Sequence, residues 1–409
     1  MTVTHDRSVA PAIDLAALYQ DLHRHPELAF AEHRTAEVLA GELRRSGFAV
    51  RTRIGGTGVV GVLTRGHGPV IMMRAELDAL PLAEQTGARF AADPQSTGPT
   101  MHACGHDLHV AWLVGAARQL AVRDDWQGTI IALGQPAEET GQGARAMIND
   151  GLFDLVPVPD VLLAQHVGPA PVGSYASVSG PLLAGSDTVD VRFTALQLRD
   201  RLADAADPAR LAAGFVARLP DRSSRLVGWP DATVAVLAIN AGDPARRQLI
   251  TPDTATVRLV LRSPTAADRD RARLMVERLA KAETEARAHE ASAPNFTWHS
   301  AIPPVINDPA LAEQVMAAVG RELGERAVQS IPPGPSSDDF SRLVSAVDRP
   351  AVYSYVGGGD PVIWRQAMLT GDRSKIIANH SPRFLPASGA LEVGIRTWTR
   401  TLLELASTR

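Results

Sequence analysis

The chain has 409 residues, 45% of them apolar and 21% charged, with a formal net charge of −4. That balance leaves no electrostatic footprint for nucleic acid or an anionic membrane, and no apolar run approaches the roughly 20 residues a membrane span needs. The length exceeds what one hydrophobic core serves, so two domains are expected, and a single cysteine with a polar start at 1–11 fits a soluble cytoplasmic protein.

Apolar residues at helical spacing predict helices over 13–22 and 31–43, broken by His25-Pro26 and closed near Gly47. Three short apolar runs follow, and each ends in a polar cluster. Residues 70–73 lead into Arg74-Ala75-Glu76-Leu77-Asp78, 129–133 into Gln135-Pro136-Ala137-Glu138-Glu139, and 161–164 into Gln165-His166. Continuous runs of this length suit strands buried on both faces of a sheet. Helical patterns at 108–122 and 144–150 lie between them. Strand, polar cluster, helix, repeated, predicts an α/β domain: a mixed, mostly parallel sheet flanked by helices, with its site beyond the strands' carboxyl ends.

The pattern changes at 181–186. Residues 188–193, 233–240, 254–261 and 296–298 read as strands, and 208–219 and 266–288 as helices, a compact α+β unit with almost no candidate ligands. Ile302-Pro303-Pro304 makes a stiff junction back to α/β material, with a helix at 309–323 and a strand at 351–356. The expected organisation is a catalytic domain in two parts, 1–185 and 301–409, interrupted by an inserted satellite domain, 186–300.

The chemistry concentrates at 101–109, Met-His-Ala-Cys-Gly-His-Asp-Leu-His, which holds the only cysteine. Such a density of soft and borderline ligands points to a transition metal. Four clusters can converge: Cys104/His106, Glu138/Glu139, His166 and His380. Adjacent carboxylates diverge, so one can ligate while its neighbour faces an open coordination position and takes a proton from an activated water. Five ligands crowd a single ion and are better shared between two. His102 and His109 are open between outer support of the ligands and packing, and Asp107 between that support and a helix cap, with both roles together favoured. Each member alone has a bland alternative: a structural histidine, a solvated Glu pair, a small buried cysteine.

The chain resembles the co-catalytic metallopeptidase family of aminoacylases and carboxypeptidase-G-type enzymes. The branch is that of hippurate hydrolase, N-acyl-amino-acid amidohydrolases and auxin-conjugate hydrolases. The matching segments are LHRHPELAFAEHRTAE (22–37), MRAELDALPLAEQTG (73–87), MHACGHDLH (101–109), GQPAEETGQGARAMINDGLF (134–153), AQHVGPAPVG (164–173), SSDDFS (336–341) and NHSPRF (379–384). The resemblance implies a metal-dependent amidohydrolase. Cys104, His106, Glu139, His166 and His380 would be ligands to two divalent ions, manganese or zinc, Glu138 the general base and Arg262 a substrate contact. It also implies that the satellite domain is a lid and a possible homodimer surface, and that the partner is a small-molecule amide, not nucleic acid or membrane. Glu76 and Asp78 are expected to orient ligands or shape the pocket mouth, or else to be surface carboxylates at strand ends.

Three departures touch substrate contacts. The family's lid histidine segment is replaced after Val191-Arg192-Phe193 by Thr194-Ala195-Leu196-Gln197-Leu198-Arg199-Asp200-Arg201, with no histidine between His166 and His289. Its Asn-Val-Ile-Pro segment has become Gln248-Leu249-Ile250-Thr251-Pro252, and Gly-Ser-Glu-Asp-Phe has become Ser336-Ser337-Asp338-Asp339-Phe340. Arg199 and Arg201 fit a solvated helix, or a replacement for the lost charge stabilisation. The expected function is hydrolysis of an N-acyl amino acid or peptide-like amide by metal-activated water. The alternatives are a tailoring acyl transferase or cyclising enzyme on the same metals, and a catalytically silent member.

Overall fold

The computed structural model describes residues 14–194, 207–220, 233–241, 253–287, 292–299 and 301–407. The expectations for Arg199, Arg201, His289 and the 248–252 segment lie outside these. Two units emerge, one of Met1–Gly180, Ile306–Ile331 and Arg342–Arg409, the other of Pro181–Val305 and Pro332–Ser341.

In the first unit, Asp14 caps the helix Leu15–Arg24 by accepting from the N–H groups of Ala16 and Ala17 at 3.0 and 3.2 Å. The helix ends at His25 because the residue before Pro26 is pushed out of helical conformation. The next helix, His33–Arg45, begins two residues later than its apolar pattern. Glu27, outside the helix, accepts from the N–H groups of Arg34 and Thr35 at 2.9 and 2.8 Å and so sets its start.

The sheet of this unit has eight strands, in the order Ala49–Ile54, Gly58–Arg65, Gly128–Gln135, Val70–Glu76, Val161–Pro171, Ala351–Gly359, Tyr175–Ser177, Val328–Ser330. Val70–Glu76 runs parallel to both its neighbours, and Val161–Pro171 parallel to Ala351–Gly359. The first two strands form an antiparallel hairpin that the sequence pattern did not reveal. Gly128–Gln135 is buried throughout, as a strand covered on both faces must be. The helix His106–Val122 is likewise buried along most of its length. Helix Ala390–Ala406 packs against it at two glycines, since a Cβ on Gly394 would lie 2.0 Å from Trp112 and one on Gly115 2.5 Å from Ile395.

Register brings the polar clusters together. Glu76 pairs with Gln135, and Leu77 N–H donates to Gln135 O at 2.9 Å, so the loops carrying Asp78 and Glu138 leave the sheet side by side. Arg74 pairs with Ala164, which puts His166 level with Glu76 on the next strand. His166 lies inside its strand, not at the strand end expected from the polar Gln165. The strand continues because Gln165 is satisfied in the interior, donating to Gly394 O at 3.0 Å and accepting from Thr397 at 2.7 Å.

The second unit has a four-stranded antiparallel sheet ordered Asn295–Trp298, Gly185–Thr194, Thr254–Ser263, Thr233–Ala241. Its helices, Pro208–Arg218 and Ala266–Arg287, pack on the alternating inward residues Val189, Val191, Phe193, Val257 and Leu259. Arg262 lies in this unit, hydrogen-bonded to Ser337.

Candidate metal centre

Cys104, Gly105 and His106 turn sharply into the buried helix. Gly105 has φ 86°, and a Cβ there would lie 2.5 Å from Val167 Cγ1, so only glycine lets this turn sit against the strand of His166. Gly105 also occupies the cap position; Asp107 lies in the helix's first turn and is not its cap, correcting one expected alternative.

Around this turn the five expected residues meet. Cys104 Sγ lies 3.4 Å from His166 Nε2 and 3.3 Å from His380 Nε2. His380 Nε2 is 3.3 Å from Glu139 Oε1, and the ligand atoms of Cys104, His106 and Glu139 lie within 4.8 Å of one another. Glu138 Oε2 is 3.9 Å from His106 Nε2.

The surroundings aim these groups inward. His106 Nδ1–H donates to Asp78 O, and His166 Nδ1–H to Val167 O, each at 2.7 Å, which turns both Nε2 atoms toward the cluster. Asp78 accepts from the N–H groups of Glu138 and Glu139 at 3.1 and 3.0 Å, fixing the pair. Ala137, just before them, has φ 50° and is held by its N–H to buried Glu32 at 2.8 Å. Glu76 and Asp78 are each 1% exposed, which removes the surface-carboxylate alternative.

Asn379 went unnoticed in the sequence beyond its place in NHSPRF. Its amide donates to Cys104 O at 3.0 Å and Val167 O at 3.1 Å, while His380 N–H donates to Ala103 O at 2.8 Å. The loop of His380, whose φ is 67°, is thereby fastened to the segments of Cys104 and His166. Only adjacency to His380 signals this role in the sequence.

Glu76, His106, His109 and His166 also lie close enough to suggest a cation site. His109, however, spends both nitrogens: Nδ1–H donates to Glu76 at 2.7 Å, and Nε2 accepts from Val167 N–H at 2.9 Å. Burial lowers its pKa, consistent with the neutral ring this needs. Glu76 is ion-paired with Arg74, and despite burial Arg74 and His109 hold its carboxyl well below the usual range. These two groups support His166 from behind.

The donor set fits divalent cations. His106 Nε2 is buried with no hydrogen-bond partner among the described residues, an expensive condition that a cation relieves, and buried Glu139 Oε1 has His380 Nε2 beside it, at 3.3 Å. Bonds to Cys104 and Glu139 raise His380 to about 10, and although burial opposes it, Cys104 and Asp78 raise His106 well above 6.5. The cluster draws positive charge to itself. Burial keeps His166 neutral, with its pKa well below 6.5. Thiol, imidazole and carboxylate together suit a transition ion.

The sequence profile of the peptidase family M20/M25/M40 matches residues 72–404. The chain belongs to that family. It is 31% identical over 371 residues to N-acetyl-L-cysteine deacetylase of Bacillus subtilis, covering 89% of this chain and 85% of that protein. It is 28% identical over 401 residues to IAA-amino acid hydrolase ILR1-like 4 of Arabidopsis thaliana, covering 96% and 86%. Its fold superposes with a TM-score of 0.76 on the crystal structure of a Bacillus subtilis dinuclear metal-binding peptidase of the M20 family, at 26% identity and 97% and 98% coverage. As an M20 enzyme of the amidohydrolase branch, the chain is a metal-dependent hydrolase of amide bonds.

Proposed function

We propose that this M20 enzyme hydrolyses the amide bond of an N-acyl amino acid or peptide-like small molecule at a dinuclear centre. Cys104, His106, Glu139, His166 and His380 hold the two ions. The convergence of these five residues beside the Glu138 carboxylate carries the proposal. Two bound divalent ions would supply Lewis-acid chemistry, polarising an amide carbonyl and lowering the pKa of a water to roughly 7. Glu138 would take a proton from the attacking water and hand it to the leaving amine. Its backbone is fixed for this by the bond from its N–H to Asp78.

Thiolate and imidazole favour zinc over manganese on softness, and both ions suit a set that includes a carboxylate. Arg262 is a substrate contact. Residues 186–300 act as the lid domain between catalytic parts 1–185 and 301–409. The exposed Val236, Leu237 and Ile239 on the edge strand Thr233–Ala241 favour pairing with a second copy. Among the described residues no helix is long and apolar enough to cross a membrane; the enzyme works in the cytoplasm.

Protein loaded with manganese or zinc is assayed on N-acyl amino acids and simple peptides. Cleavage is expected to disappear on chelation, and to fall ~10²–10⁴-fold in Glu138→Ala with the metal retained. If metal-stripped wild type and Glu138→Ala both match loaded wild type, the proposal is wrong. Transfer to an added amine would replace hydrolysis with acyl transfer. Two bound ions without turnover of any amide would mark a silent protein.

A further inference from the structure

One buried charged cluster lies outside the set of ligands. His23, on the first helix, has its ring caught between two carboxylates: Nδ1 is 2.6 Å from Asp107 Oδ2, and Nε2 is 3.2 Å from Glu84 Oε1. The three side chains are 1%, 1% and 3% exposed. Phe90 meets the His23 ring edge-on at 5.3 Å, closing the cluster to water.

Both carboxylates lead to the metal centre. Asp107 follows His106 in the first turn of its helix. Glu84 also accepts from Thr86 and from Ala92 N–H, ordering its loop, and the next residue, Gln85, donates its N–H to Pro382 O at 2.7 Å. Pro382 lies two residues past His380. One imidazole thus ties the turn that presents Cys104 and His106 to the loop that presents His380.

We infer that His23 is a positioning residue for the metal centre, a buried imidazolium that neutralises Asp107 and Glu84 together and so holds those two segments in register. A neutral ring can donate only one N–H, whereas two ionised carboxylates at its two nitrogens call for both. Removing the ring leaves two buried carboxylates short of a partner, and such a charge moves or takes up a proton.

The titratable groups facing His23 are Tyr19 on its own helix, Glu84 on the loop, and His102 and Asp107 on the metal motif. Burial works against its charge, yet Asp107 and Glu84 raise its pKa from 6.5 to about 9. A raised folded pKa gives stabilisation that is complete below 6.5 and lost as pH rises through about 9. Tyr19, kept neutral by burial with its pKa well above 10, adds no competing charge there.

The inference rests on the ligand assignment above, and its test separates the two. Zinc or manganese alone is titrated into wild type, His23→Leu, and the double variant His23→Gln with Asp107→Asn, which removes one buried carboxylate along with the imidazolium. His23→Leu is expected to lose ~10–100-fold in metal affinity, the cost of a lost outer-shell partner. The double variant should recover to within about threefold of wild type, since losing one carboxylate with the imidazolium restores the cluster's net charge and leaves Glu84 its bonds from Thr86 and Ala92. The thermal midpoint of wild type should fall as pH rises from about 6.5 to about 9, and that alkaline limb should be absent in the double variant. Wild type that binds no ion sinks the ligand assignment. Two ions bound as tightly by His23→Leu as by wild type sink this inference alone. If His23→Leu does not fold, a double variant that folds but stays as weak as an ordinary packing defect, or keeps the alkaline limb, overturns it equally.

Discussion

The two units bury charge in opposite ways. In the second unit Asp187, 1% exposed, is closed off by Arg269 at 2.7 and 2.9 Å and Arg273 at 2.9 Å, and Arg273 lies over the Trp298 ring at 4.3 Å. Charge meets opposite charge, and apart from Arg273 Nε, which lacks a hydrogen-bond partner among the described residues, the network ends there. Around Cys104 the bonds run the other way. Asp78 O and Val167 O satisfy the rear nitrogens of His106 and His166, Asn379 ties the backbone behind them, and His106 Nε2 in front is left without a hydrogen-bond partner among the described residues. A closed network holds a fold, whereas a network supported from behind and open in front is prepared for something to be added.

The largest expected effect breaks the open network at its centre. His166→Ala removes the nitrogen beside Cys104 Sγ while leaving its strand paired on both sides. Metal affinity should fall by more than the ~10–100-fold that an outer partner costs, and amide cleavage should fall with it. Metal stoichiometry after dialysis checks this. A variant that keeps two ions per chain would place the centre elsewhere.

A middle-sized effect sharpens the contrast. Asp187→Asn weakens the bonds to two arginines in the second unit, and charged hydrogen bonds are worth about 1.5–3 kcal/mol. Denaturant unfolding should show a loss of ~2–3 kcal/mol, with the metal content unchanged. A loss of bound metal would mean that the two networks are not independent.

Which features were legible in the sequence follows from the same contrast. Buried parallel strands must be apolar throughout, so a polar cluster at the end of such a run stands out, and Glu76, Asp78, Glu138 and Glu139 could be found that way. Cys104 and His106 were marked by composition alone. His23, Asn379 and Glu32 were not legible as site residues, because their partners lie 84, 275 and 105 positions away and nothing local marks them. His166 was found but misplaced at a strand end, since its strand runs on through buried Gln165. The hairpin Ala49–Ile54 and Gly58–Arg65 escaped because its first strand is largely exposed and carries arginines, so the apolar run at 59–63 had no readable partner.

The smallest effect belongs to the exposed rim of the closed network. Arg258 grips Asp190 with two bonds of 2.7 Å, and His299 adds one at 3.1 Å. The Arg258 bonds, helped by His299, hold the Asp190 carboxyl down to about 2. A depressed folded pKa gives stabilisation that is present above the ordinary carboxyl value near 4 and disappears as pH falls toward 2. Both partners face solvent, so screening keeps the contribution small. Asp190→Asn should therefore lower the thermal midpoint slightly at pH 7, less than Asp187→Asn does. The gap from wild type should close as the pH is taken from 4 to 2 or as salt is raised. A gap insensitive to both would mean that Asp190 acts through packing of its strand rather than through charge.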